Sequence, residues 1–350
     1  MQGLLALSTA VPPHELDQQQ VAERARALFG SRIKNYDRLA RVFTSTGIER
    51  RYSVCPIDWF EQQRGWPERT SAYLEGACAL YERVVRDVLD ASGLAPADID
   101  TVVTISSTGI ATPSLEARVL PALGFRADTQ RVPVFGLGCA GGVTGLAIAS
   151  RLAAAQPKSK VLVVTLELCT LSFRLDRATK AEIIATSLFG DGAAAAIVTS
   201  DPTRPAIANI RAATEHLWPK SLDIMGWSAD DAGLGVVLSR SLPAFIAQNY
   251  RAVFSSAMER MGVVSSGVDR VVCHPGGTKV LEAIETALEM PDGALDHERA
   301  VMRDFGNMSS PTVFFVLERA LRGGMPPSLV LSALGPGFTA SYVALERANA

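Results

Sequence analysis

Hydrophobic residues in this chain fall into short apolar runs, separated by longer stretches with helical spacing. Residues 101–106 (TVVTIS), 132–135, 160–166 (KVLVVTL) and 193–199 (AAAAIVT) predict buried strands. Residues 73–90 carry apolar positions at helical spacing and run into Ser92-Gly93, a C-terminal stop. Residues 141–155 predict a helix rich in small residues, and the tight turn Gly190-Asp191-Gly192 is expected to lead into the strand at 193. The opening MQGLLALSTAVPPHELD has a short apolar run, no basic region and two prolines directly after. It reads as a first core strand rather than a signal peptide. Strands alternating with helices predict an α/β protein with mainly parallel sheets.

The second part of the chain repeats this grammar. Ile99-Asp100-Thr101-Val102-Val103 resembles Val268-Asp269-Arg270-Val271-Val272, and Val161-Leu162-Val163 resembles Val330-Leu331-Ser332, both at the same offset. Cys139 opens a small-residue helix in the first half, and at nearly the same offset Asn307 precedes a helix predicted over 310–321. An internal duplication follows, with halves at 1–205 and 206–350. Two helix N-termini related by a pseudo-twofold axis would then face one crevice. Their partial positive charge and free N–H groups suit a thiolate or an oxyanion.

Composition narrows the function. Apolar residues make up 48% and charged residues 20% of the 350, enough for a large core and little disorder. The formal net charge of −2 argues against nucleic acid as a partner. The five cysteines, Cys55, Cys78, Cys139, Cys169 and Cys273, form no CxxC pair, so a disulfide framework or zinc ribbon is not expected and the cytoplasm is the expected compartment. No metal site is expected, and no run is expected to reach the ~18 apolar residues a membrane span needs.

Three positions carry candidate chemistry. Cys139 sits in Phe-Gly-Leu-Gly-Cys-Ala-Gly-Gly, where glycines allow a sharp strand-to-helix turn. His274, in Val-Cys-His-Pro-Gly-Gly, is placed at a strand end before a helix; Cys273 beside it points to the opposite face. Asn307, in Phe-Gly-Asn-Met-Ser-Ser, is by its position alone an N-cap. A thiol, an imidazole and an amide together supply a nucleophile, a base and an electrophilic stabiliser.

Gly-Cys-Ala-Gly-Gly, Leu188-Phe-Gly-Asp-Gly-Ala193, His-Pro-Gly-Gly, Gly-Asn-Met-Ser-Ser and Leu334-Gly-Pro-Gly-Phe338 occur in this order. As an ordered set they resemble the type III polyketide synthases, the chalcone-synthase-like enzymes, from about Leu4 to Glu346. The resemblance implies a thiolase fold, duplicated αβαβα layers with mixed five-stranded sheets, in a homodimer. It implies Cys139 as the acylated nucleophile with His274 and Asn307, acyl-CoA and malonyl-CoA as substrates, and no cofactor. Phe189 matches a gatekeeper. Ser107, Thr108, Cys169, Ser172, Val236, Gly335, Pro336 and Gly337 match pocket positions, and Thr112 a position that reaches across the dimer. Arg38, Arg41, Gly277 and Thr278 match the coenzyme A site, where a third basic position is Ser45.

The small Ser107, Cys169, Ser172 and Val236 leave volume in such a pocket, with Trp227 nearby. Fatty acyl-CoA starters and alkylpyrone or alkylresorcinol products are therefore expected. A ketoacyl synthase III-like enzyme with a carrier-protein extender is the nearer alternative; a papain-type Cys-His-Asn hydrolase is the more distant one.

Overall fold

The computed structural model describes residues 2–348. Its first half contains strands β1 (Gln2–Ala10), β2 (His14–Asp17), β3 (Arg50–Ser53), β4 (Thr101–Ile105), β5 (Gln130–Val134), β6 (Lys160–Leu168) and β7 (Asp191–Thr199). Its helices are α1 (Gln18–Phe29), α2 (Tyr36–Ala40), α3 (Val42–Ser45), α4 (Trp66–Ser92), α5 (Leu115–Leu123), α6 (Gly141–Ala155) and α7 (Lys180–Leu188). The second half contributes β8 (Ala208–Leu217), β9 (Met225–Asp230), β10 (Gly233–Leu238), β11 (Arg270–Cys273), β12 (Ser328–Gly335) and β13 (Thr339–Glu346). With them come α8 (Leu242–Arg260), α9 (Thr278–Leu288), α10 (Asp296–Phe305) and α11 (Thr312–Leu321).

Alternation along the strands builds the layers. Val161 and Val163 of β6 pack inward against Val143 and Leu146 of α6, while Leu162 and Val164 face α4. In β12, Leu329 and Leu331 face the same inner core as α11, and Val330 faces α8 and α9. Helices α6 and α11 thus lie at the centre, a sheet layer flanks them on each side, and the outer helices close an αβαβα stack.

The halves share connectivity. β4 runs parallel to β6 as β11 does to β12; β6 is antiparallel to β7 as β12 is to β13; β7 is antiparallel to β1 as β13 is to β8. The expected pair of five-stranded sheets is hydrogen-bonded into one ladder, β11-β12-β13-β8-β1-β7-β6-β4-β5, joined where Gln2–Leu4 pairs with β8. The first half supplies five strands and the second only four. Where the repeat would place a counterpart of β5, the chain forms α10, because Glu298, Val301 and Met302 are buried at helical spacing instead of alternating.

Two further expectations change. Asp191 and Gly192 are strand residues, not a turn. The buried Asp191 carboxylate accepts hydrogen bonds from Val54 N (3.0 Å), Thr170 N (2.8 Å) and Thr170 Oγ1 (2.7 Å), which fixes the strand start. One stretch, Gly138–Ala155, is long and apolar enough to cross a membrane by length and composition. It comprises the Cys139 turn and α6, and its apolar face is buried between the two sheet layers.

Candidate active site

The starts of α6 and α11 meet at the centre of the molecule. Cys139 lies in a single turn, Gly138–Ala140, directly ahead of α6. A Cβ on Gly142 would stand 2.4 Å from the carbonyl oxygen of Ser310, a backbone atom that cannot yield, so only glycine permits this approach. The Ser107 hydroxyl accepts from Gly136 N (3.0 Å) and Gly138 N (3.4 Å), pinning the turn from below. Asn307 is fixed by its own backbone, donating to Leu188 O (2.8 Å) and accepting from Gly190 N (3.0 Å). Its Oδ1 accepts from Ser309 N (2.8 Å), which assigns the amide orientation and leaves Nδ2 as donor, with one weak bond to Gly276 O (3.3 Å).

His274 follows β11 and is held by its N–H to Ser332 O (2.8 Å) on β12. The residue is buried, and neither ring nitrogen has a hydrogen-bond partner among the described residues. A buried imidazole with both nitrogens free is costly unless a substrate or proton-transfer partner uses them. Burial holds its pKa down to about 3 and pushes the Cys139 thiol up to about 11, with Ser309 pulling the thiol back. A lone thiolate or a lone imidazolium is therefore disfavoured here.

Cys139 and Asn307 open onto a cavity of ≈ 680 Å³ whose wall also includes Phe189, Cys169, Val236, Trp227 and Pro336. Phe189 and Trp227 face each other with ring centroids 6.3 Å apart. The rim carries exposed Arg38, Arg41, Arg240 and Lys279 together with half-buried Lys180.

Comparison with known proteins gives the family. The family model described as "Chalcone and stilbene synthases, N-terminal domain" matches residues 1–202, and its C-terminal counterpart matches residues 209–346. The chain belongs to the chalcone and stilbene synthases. It is 37% identical over 353 residues to a 1,3,6,8-tetrahydroxynaphthalene synthase of Streptomyces peucetius, covering 98% of this chain and 93% of the relative. It is 32% identical to a putative chalcone synthase of Bacillus subtilis, covering 98% of each. The solved 1,3,6,8-tetrahydroxynaphthalene synthase of Streptomyces coelicolor, a bacterial type III polyketide synthase, superposes with a TM-score of 0.94 at 27% identity, over 99% of this chain and 100% of that one. The protein is thus a type III polyketide synthase, a decarboxylating condensing acyltransferase with the thiolase fold.

The expected pocket residues of this synthase divide. Cys169, Phe189, Val236 and Pro336 line the cavity, as do Arg38, Arg41, Gly277 and Thr278. Ser172 lines a second, narrower cavity behind Cys169. Ser107 and Thr108 line neither and serve as supports: Ser107 holds the cysteine turn, and Thr108 Oγ1 donates to Glu167 (2.8 Å) while accepting from Leu168 N (2.8 Å). Gly335 packs against Ala140, where a Cβ would fall 2.6 Å from its neighbour, and Gly337 lies against Leu217 and Thr339. Thr112 stands exposed on its loop, away from this chain's cavity.

Sequence reasoning missed several groups. Glu167 is fully buried and accepts from Ser107 N (2.9 Å), Thr108 Oγ1 and Ser310 Oγ (3.1 Å), joining the cysteine turn to the asparagine turn. Burial raises its carboxyl to about 7. A glutamate inside the apolar run KVLVVTLEL was the available signal, since a carboxylate there must find buried donors. Arg51 is also buried, donating to Phe189 O (2.9 Å), Thr186 O (2.6 Å) and Gln18 Oε1 (2.8 Å), and so it holds the segment that carries Phe189. Lys180, Arg240 and Lys279 join the rim from three separate segments, which no local pattern connects.

Proposed function

We propose that the synthase loads an acyl-CoA starter onto Cys139 and extends it iteratively with malonyl-CoA. His274 accepts the thiol proton as Sγ attacks the thioester carbonyl, and the departing coenzyme A thiolate takes that proton. Malonyl-CoA then occupies the same cavity. N–H groups of Asn307 and His274 hydrogen-bond to its thioester oxygen, where charge collects as the C–CO2 bond breaks. The resulting enolate carbon attacks the acyl-cysteine, expelling Cys139 and leaving a chain longer by two carbons. Loss of CO2 drives the step, so no metal or redox group takes part. The five rim cations would receive the anionic end of coenzyme A, with Lys180, Arg240 and Lys279 offsetting the missing base at Ser45. The reduced cysteines fit a cytoplasmic enzyme.

The starter is a medium- to long-chain acyl group, and the products are alkylpyrones or alkylresorcinols. One observation carries this reading. Behind Cys169 and Phe189, which it shares with the main cavity, lies a mostly apolar cavity of ≈ 70 Å³ bounded by Leu16, Val21, Leu28, Phe60, Phe173 and Ala185, with Arg24, Glu61 and Glu182 also on its wall. An acyl tail passing the small Cys169 would gain about 0.8 kcal/mol for each methylene buried there. A tetrahydroxynaphthalene-type aromatic product is the second reading, favoured by the relatives' identity.

Starter kinetics separate the two. Specificity constants should rise from acetyl-CoA to at least octanoyl-CoA. Ala185→Trp, which fills only the narrow cavity, should lower octanoyl turnover about tenfold or more and leave acetyl turnover within about twofold. A wild type that makes product from malonyl-CoA alone and ignores octanoyl-CoA would establish the second reading.

A homodimer belongs to the same proposal. Strand β5 is the terminal strand of the ladder, with an unpaired edge, and Phe135 and Ile110 beside it are each 59% exposed. A second copy would cover this edge and bring its Thr112 loop near the first copy's site. Sedimentation should show a dimer at assay concentration for the wild type and a monomer with little activity for Phe135→Glu. An active wild-type monomer would refute it.

A further inference from the structure

The β9–β10 hairpin is paired with nothing but itself and stands apart from the nine-stranded ladder. Its inner side, with Met225, Trp227, Val236 and Leu238, forms one wall of the active-site cavity. A two-stranded ribbon is marginal alone, so its neighbours must set its position. Strand β10 packs on α7 and on the Cys169–Ser172 turn, and the tip adds an anchor by charge. The Asp230 carboxylate accepts from Arg174 (Nη1 to Oδ1, 2.9 Å; Nη2 to Oδ2, 3.4 Å) and from Arg177 Nη2 (2.5 Å). Its carbonyl accepts from the Trp66 indole (2.9 Å) at the start of α4. All three donors belong to the first half, and the hairpin belongs to the second.

Arg174 is a fixed anchor. Its side chain is only 3% exposed, it chelates Asp176 through Nε (2.8 Å) and Nη2 (2.5 Å), and its backbone N–H donates to Glu182 (2.8 Å). Arg177 lies flat beneath the hairpin: a Cβ on Gly235 would stand 1.9 Å from its Nη1. Both arginines follow directly on Cys169–Ser172, whose Cys169 lines the same cavity, and precede α7, which leads to Phe189. The ion pair therefore ties two neighbouring segments of the cavity wall, one from each half, together. Asp230 and Arg174 themselves line neither cavity.

We propose that Asp230, Arg174 and Arg177 form a latch that fixes the height of the β9–β10 wall above Phe189, and so limits the chain the cavity accepts. The three are positioning residues, acting through Trp227 and Val236. Removing the Asp230 charge leaves the buried Arg174 with Asp176 alone and frees the hairpin tip. The activity readout rests on the proposed polyketide chemistry; the hairpin readout needs no substrate.

Amide hydrogen exchange across 225–238 should quicken at least tenfold in Asp230→Asn and about threefold in Arg177→Ala, with β6 and β12 unchanged. Asp230→Glu should restore wild-type exchange. With starters from acetyl- to dodecanoyl-CoA, Asp230→Asn should shift the long-to-short ratio of kcat/KM at least fivefold, and Cys139 should still load a short starter. The latch is overturned if hairpin exchange stays at the wild-type rate in both Asp230→Asn and Arg177→Ala. It is equally overturned if exchange rises alike in β6 and β12, or if all starters lose activity in the same proportion.

Discussion

Cys139→Ala is expected to leave no covalent acyl adduct after incubation with a starter CoA, as read by intact-protein mass spectrometry. Product formation should fall by about four orders of magnitude or more. The expectation rests on placement. Cys139 is the thiol that sits at a helix start on the main cavity wall, opposite Asn307. Cys169 is also on that wall, but its thiol is held far above its ordinary pKa by burial and by the nearby carboxylates Glu167 and Asp191. It should not substitute as nucleophile. The fold should tolerate the change, because the turn is held by Ser107, Gly335 and Ser310 contacts that do not involve the sulfur. A Cys139→Ala protein that still gains a starter mass would move the acylation site, with Cys169 the next to replace.

Asn307→Ala should separate the two half-reactions. Removing a donor aimed at a developing oxyanion costs about 10²- to 10³-fold in rate. CO2 release from malonyl-CoA should fall by about that factor, while acyl loading stays within about tenfold. An amide donates a hydrogen bond but exchanges no proton, so the loading step has no need of it. Asn307→Ala also removes the acceptor of Ser309 N–H, worth about 1 kcal/mol of stability. Asn307→Asp resolves the two effects: it keeps an oxygen for Ser309 and lacks the Nδ2 donors. Decarboxylation lost in both variants supports the catalytic role. If Asn307→Asp keeps full CO2 release, Asn307 acts as a cap of the turn and no more.

The predicted strands at 101–106, 160–166 and 193–199 and the small-residue helix at 141–155 lie where β4, β6, β7 and α6 are found. They were legible because a strand buried on both faces must be a continuous apolar run, and a helix at the centre of the layers must be small. Cys139, His274 and Asn307 stood out for a related reason. Each sits where a glycine-bearing segment joins two elements, and such a junction is written locally.

What the sequence could not carry is proximity between segments far apart in number. The joining of Gln2–Leu4 to β8 into one ladder, the Glu167 link between the Cys139 and Asn307 turns and the rim cations from three segments depend on how the halves dock. Ser107 and Thr108 read as pocket residues by position, yet their hydroxyls turn to backbone and to Glu167, because buried donors and acceptors near a carboxylate must satisfy one another first. Apolar periodicity and glycine placement located most of the central strands and helices and marked Cys139, His274 and Asn307 as candidates. Tertiary packing alone decided the cavity's shape and the ionisation balance of its thiol and imidazole, since burial and long-range hydrogen bonds exist only once the two halves have closed on each other.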